Sequence, residues 1–117
     1  MTDGMVEIRA VVRREMLDRV VRMLKEAGVP RLTVTRVHAI GAGVDPAMAK
    51  LSLDEGSDYA DKALVQFVCG GDRCTTYTEL IIRAARTGRQ GDGIVYVQPV
   101  VAVTKIRTGQ SGLTALR

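Results

Sequence analysis

Two basic turns bracket a β-branched strand in the last third of this 117-residue chain, and they hold most of its capacity for chemistry. The first is Arg86-Thr87-Gly88-Arg89-Gln90-Gly91-Asp92-Gly93, and the second, within 104–112, is Lys105-Ile106-Arg107-Thr108-Gly109. Glycine lacks a Cβ, so backbone N–H groups there can approach an anion closely while Arg and Lys heads neutralise it. The planar guanidinium fork also matches phosphate oxygens. Either turn alone reads equally well as a solvated connection between strands. Their joint order around one strand points to a phosphate-bearing ligand.

Other reactive side chains form no comparable arrangement. His38 is the single histidine and sits mid-strand between Val37 and Ala39. No serine or cysteine has a base and an orienting group at recognisable spacing, so the chain reads as a non-enzyme with no catalytic residues. Cys69 and Cys74 enclose Gly70-Gly71-Asp72-Arg73; in a reducing compartment they read as thiols, with a redox pair as the alternative. With one distant histidine they are too few for a closed zinc site, so no metal residues are assigned. Asp54 and Glu55 are adjacent on a loop and read as a solvated charged segment.

Composition sets the frame. An apolar fraction of 46% with 26% charged residues is ordinary for one globular domain spanning 1–117. Only three tyrosines and one phenylalanine are present, so the core must rest on Val, Leu, Ile, Met and Ala. The net charge of +4 permits nucleotides, nucleic acid or a membrane surface as partners without choosing among them. No apolar run approaches the roughly 20 residues of a membrane span. With strand-like sequence following Gly4 directly and no secretory pattern before it, the chain reads as cytoplasmic.

The elements that must position the turns are legible from periodicity. Val6–Val12 starts as an alternating strand and ends apolar. Met16, Leu17, Val20, Val21, Leu24 and Ala27 form one stripe on a helix over 14–27, with Gly28 at its C′ position and Pro30 barring continuation. Leu32–Ile40 is a second strand, rich in β-branched residues. Residues 41–58 lack a period and contain Gly41, Gly43, Pro46 and Gly56; a loop this long is more often functional than idle. Gly41-Ala42-Gly43 starts like a dinucleotide fingerprint, but Pro46 replaces its last glycine, and that reading is rejected. A third strand has Leu64–Val68 as its body. Thr76-Tyr77-Thr78-Glu79 reads as a capping box opening a helix that Gly88 stops. Ile94–Val97 is a fourth strand ended by Pro99, with Val100–Val103 as a short further segment. The order βαββαβ predicts an α+β, ferredoxin-like sheet with both helices on one face. The Val-rich strands would leave the other face apolar and in need of a partner, so an oligomer is expected.

The stretches Leu32–Val37, Ala84-Ala85-Arg86-Thr87-Gly88-Arg89-Gln90-Gly91-Asp92-Gly93 and Lys105-Ile106-Arg107-Thr108-Gly109 resemble, in order and spacing, the PII signalling-protein family. The resemblance runs from the first strand to Gly109. It implies a homotrimer that binds ATP or ADP in clefts between subunits and reports metabolic state through the long loop to a target, such as a membrane transporter or an enzyme. It places Thr33 near the adenine, Val11 and Val68 as apolar walls, and Gly41 at the loop base. Gly91, Asp92 and Gly93 form the phosphate-side turn, while Lys105 and Arg107 reach the phosphates from the adjacent subunit.

Three departures bear on the ligand. Family members usually carry Lys after Gly-Asp-Gly, where this chain has Ile94, and Gly-Arg-Gln at the loop base, where it has Gly41-Ala42-Gly43. The loop tyrosine modified in many bacterial members is replaced by Glu55. Removing groups that hold outer phosphates, metal and 2-oxoglutarate favours ADP or AMP over Mg-ATP with 2-oxoglutarate. A small anion such as bicarbonate is a further candidate signal at the loop base. Competing classes are a ferredoxin-like trimer for metal handling and a nucleic-acid-binding module. The latter would need exposed aromatics on the central strands, and strand three offers Phe67 alone.

Overall fold

The computed structural model describes residues 4–41, 50–52 and 57–117. The alternation in the first strand is realised over Met5–Arg13 (β1): Val6, Ile8, Ala10 and Val12 are buried against the helices, and Glu7, Arg9 and Val11 lie on the other face. A single 3-10 turn, Arg14–Met16, leads into helix α1, Leu17–Glu26, which buries Val20 and Leu24. Its end is a Schellman motif. Val29 N–H donates to Leu24 C=O at 3.1 Å and Gly28 N–H to Lys25 C=O at 3.0 Å, with Gly28 at φ +102°.

Strand β2 is Thr33–Ile40, β3 is Lys50–Ser52, β4 is Ser57–Gly70 and β5 is Gly93–Val100. Helix α2, Cys74–Ala85, follows a 3-10 turn at Gly71–Arg73 and buries Tyr77, Ile81, Ala84 and Ala85. The sheet order is β2-β4-β1-β5, all neighbours antiparallel, with β3 paired to the start of β4. Both helices cover one face, and the core between layers centres on Ile8, Val12, Val20, Leu24, Val65 and Ile81. This is the expected ferredoxin-like α+β fold.

Four readings need correction. The segment 41–58 is not loop throughout: Lys50–Ser52 pairs in register with Ser57–Tyr59, so β4 begins inside it. Backbone pairing needs no apolar period, which is why the pattern missed it. Residues 42–49 and 53–56, with the substituted positions Ala42, Gly43 and Glu55, lie outside the described residues. Thr76 and Glu79 form no capping box; both lie inside α2, whose entry is fixed earlier by Gly71 N–H donating to Gly4 C=O at 2.7 Å. Pro99 does not end β5, because β5 is an edge strand, where a missing N–H costs no ladder bond. Residues 101–103 add no strand.

The face away from the helices is also less apolar than expected. Glu7, Arg9, Gln66, Tyr96 and Gln98 run across it, tied by an Arg9–Glu7 ion pair at 3.1 Å and a Gln98-to-Glu7 hydrogen bond at 2.6 Å. A C-terminal 3-10 turn, Gly112–Leu116, lies against β4 with Ala115 buried. The strongest apolar exposure is instead on the C-terminal segment, where Val101 and Ile106 are 99% and 100% exposed.

Candidate functional site

The first basic turn leaves α2 at Arg86 and enters β5 at Gly93. Gly88, Gly91 and Gly93 all have positive φ. At Gly93 the requirement is also steric: a Cβ would lie 1.8 Å from the Val11 carbonyl oxygen, so only glycine lets β5 meet β1 there. Asp92 organises the turn from within. Its Oδ2 accepts from the N–H groups of Thr87 (2.8 Å) and Gly88 (2.9 Å), and its Oδ1 accepts from Thr87 Oγ1 and from Arg13 Nε at 2.9 Å. Partial burial works to raise the Asp92 pKa. The hydrogen bonds from Thr87, Arg13 and the two backbone N–H groups outweigh it and hold the carboxyl well below the usual carboxylate range.

Two cations close the turn from beneath, and the sequence reading missed both. Arg13 and Lys62 are each only 2% exposed and face one another across the β1–β4 ladder. Arg13 also donates to the Gln90 carbonyl at 2.8 Å, and Lys62 Nζ donates to the Gly91 carbonyl. Like charges directly opposite in a sheet repel, and buried ions need partners. The Asp92 carboxylate and the two carbonyls supply them. The signal lay in the register, since a charge following the buried Val12 falls opposite a lysine only once the strands are paired.

The second basic turn is a hairpin-like loop. Lys105 N–H donates to Gln110 C=O and Gly109 N–H to Lys105 C=O, both at 2.8 Å, and Thr104 bridges Ser111. Lys105 Nζ donates to the Arg117 carbonyl at 2.7 Å, and Arg107 is exposed. A cavity of about 490 Å³ brings Lys105 and Arg107 together with Thr33 and Val68, between the sheet's open face and the C-terminal segment. Asp92, Gly93 and Val11 line a different cavity, of about 350 Å³, beside Ile81, Ile82 and Ile94 at the β5 edge. Within one chain the two groups of residues therefore line separate cavities, and Val11 and Val68 do not share a wall. Gly41, at φ +100°, ends β2 and lines neither cavity. Ile94 is 64% exposed, and its side chain offers no donor to a phosphate.

Remaining chemistry is sparse. His38 Nε2 lies 3.3 Å from Asp61 Oδ1, and Arg14 lies 3.9 Å from the same carboxylate. Cys69 and Cys74 are free thiols; burial, then the nearby Cys74 and Asp72, pushes Cys69 up to about 11, so it is a poor nucleophile at neutral pH. Among the described residues no group of three or more His, Cys, Asp or Glu could hold a metal ion. Phe67 is 4% exposed and packs edge-on to Tyr77, so it offers no stacking platform for a base. No helix among the described residues is long and apolar enough to cross a membrane.

A ferredoxin-like chain with a glycine-rich basic turn before its last strand and a second basic turn after it defines a class of small regulatory fold, and comparison with known proteins identifies the family. Residues 5–110 match the family model "Nitrogen regulatory protein P-II". The chain is 34% identical over 112 residues to the nitrogen regulatory protein P-II of Bradyrhizobium diazoefficiens, covering 96% of this chain and 100% of that one. It is 34% identical over 112 residues to P-II 2 of Methanothermobacter thermautotrophicus, covering 96% and 97%. Among solved structures, Arabidopsis thaliana PII bound to citrate superposes with a TM-score of 0.79 at 29% identity, covering 97% of this chain and 92% of that one. The B. subtilis GlnK–ATP complex gives 0.79 at 25% identity, covering 99% of each. The chain belongs to the nitrogen regulatory P-II family, whose members are regulatory proteins and not enzymes.

Proposed function

We propose that this protein is a nucleotide-responsive regulator that binds ADP or AMP in preference to Mg-ATP with 2-oxoglutarate. The ligand would sit in clefts completed by a neighbouring subunit. The observation that carries the reading is the division of the site. Lys105 and Arg107 line one cavity with Thr33 and Val68, and Asp92 and Gly93 of the first turn line another. A second copy joining the two halves would bring cations, adenine wall and phosphate turn together. The fully exposed Val101 and Ile106 support such assembly, and a trimer is the arrangement that the family resemblance implies. That a B. subtilis relative was solved with ATP supports an adenine nucleotide as the ligand class.

The preference rests on Ile94, an exposed apolar side chain where a lysine would reach the outer phosphates. Ala42 and Gly43, where the family carries Arg and Gln, lack the polar groups for metal and 2-oxoglutarate. The 41–58 segment would dock a target protein, such as a membrane transporter or a metabolic enzyme, with bicarbonate as a candidate co-signal at its base. Arg107→Ala should weaken ADP binding by about 1.5–3 kcal/mol, the worth of a charged hydrogen bond. Isothermal calorimetry measures it, and unchanged affinity would remove Arg107 from the site.

A further inference from the structure

An electrostatic conflict lies in the first basic turn. A carboxylate, Asp92, sits in the middle of a segment read as a phosphate cradle, where its charge would repel the ligand. The contacts resolve the conflict through Arg13. Its Nε lies 2.9 Å from Asp92 Oδ1, and another guanidinium nitrogen donates to the Gln90 carbonyl at 2.8 Å. One buried side chain thus compensates the carboxylate and grips the backbone next to it.

That grip fixes a peptide orientation. Gln90 and Gly91 are the central pair of a turn, and Gly91 at φ +101° occupies the position where a type II turn needs positive φ. Types I and II differ mainly in which way the central peptide faces. A trans peptide sends its C=O and N–H to opposite sides, and the described peptide bonds are all trans. With the Gln90 carbonyl held by Arg13, the Gly91 N–H faces away from Arg13, and it donates to nothing among the described residues. Lys62 fastens the following carbonyl, that of Gly91.

The geometry points to Arg13 as the positioning residue of the anion turn. It holds the Gln90–Gly91 peptide so that the Gly91 N–H is presented to a phosphate, and it cancels the Asp92 charge that would oppose binding. Lys62 supports the same orientation. Arg13 acts through the turn and need not touch the ligand. The identity of the ligand rests on the nucleotide reading above, whereas the clamp does not.

The test uses the full chain as wild type, Arg13→Gln, Arg13→Lys and Lys62→Met, with ADP and adenosine as probes. Calorimetry gives the two affinities, and the Gly91 amide resonance reports the peptide without ligand. Arg13→Gln should weaken ADP by roughly ten-fold or more while adenosine stays within roughly two-fold, because only ADP uses the turn. Lys62→Met should show the same selectivity, and Arg13→Lys should fall between wild type and Arg13→Gln. In the ligand-free protein the Gly91 amide should shift and lose order in Arg13→Gln. Equal weakening of ADP and adenosine, or unchanged ADP affinity, would overturn the proposal. If Arg13→Gln does not fold, Arg13→Lys decides: weaker ADP with unchanged adenosine supports the clamp, and wild-type ADP affinity overturns it. A wild type that takes up no ADP would contradict the nucleotide reading instead; an unaltered Gly91 amide in Arg13→Gln would then overturn the clamp.

Discussion

Asp92 does more for the fold than a residue of a solvated turn would. Its carboxylate gathers Thr87, Gly88 and Arg13, which ties the end of α2 and the entry to β5 onto β1. Because its folded-state pKa lies below the ordinary 3.8, the unfolded chain binds the proton more readily, and stability rises with pH across that interval. Wild type should therefore melt above Asp92→Asn at neutral pH. The margin should persist down to about pH 5 and shrink as pH falls below the ordinary carboxylate range. Thermal melts of both proteins across pH would show it; a margin unchanged down to strongly acidic pH would detach the effect from this carboxylate. The sequence displayed Asp92 but not its partners. Arg13 and Lys62 are charged side chains at strand positions, and nothing in composition says that they are buried until register sets them opposite each other beneath the turn.

At the scale of elements, two glycines with nearly the same backbone angle separate conformational from steric requirements. Gly28 at φ +102° ends α1, and a Cβ there would meet nothing within 4 Å. Gly93 at φ +107° would place a Cβ 1.8 Å from the Val11 carbonyl. Gly28→Ala should cost about 1 kcal/mol, the conformational share alone. Gly93→Ala should cost well over about 2 kcal/mol, because β5 must also move off β1. Urea unfolding at matched protomer concentration gives both values, and similar losses would refute the steric account. Gly28 was legible in the sequence because an apolar stripe stopped beside a glycine and a proline. The element boundaries that were misread depended on distant partners: β3 on the backbone of β4, the start of α2 on Gly4, and the length of β5 on its place at the sheet edge.

For the whole molecule, the fold was visible in the order of periodic segments and the family in three short stretches, whereas the way a site is completed was not. The open sheet face is polar across its centre, so the drive to assemble does not come from a bare apolar sheet. On the proposed reading it would come instead from the C-terminal segment, where Ile106 stands fully exposed between Lys105 and Arg107. Light scattering at micromolar protein should give three times the 12.7 kDa chain mass, and Ile106→Asp should reduce it. A wild-type monomer would leave the two half-sites apart and the proposed cleft unformed.

The most direct measurement of the central claim is a calorimetric titration of the wild type with AMP, ADP and Mg-ATP, the last with and without 2-oxoglutarate. Adenine-nucleotide binding is predicted, with ADP or AMP at least as tight as Mg-ATP, and 2-oxoglutarate should change the Mg-ATP isotherm little. Cooperative uptake of Mg-ATP with 2-oxoglutarate, or no uptake of any adenine nucleotide, would contradict the account.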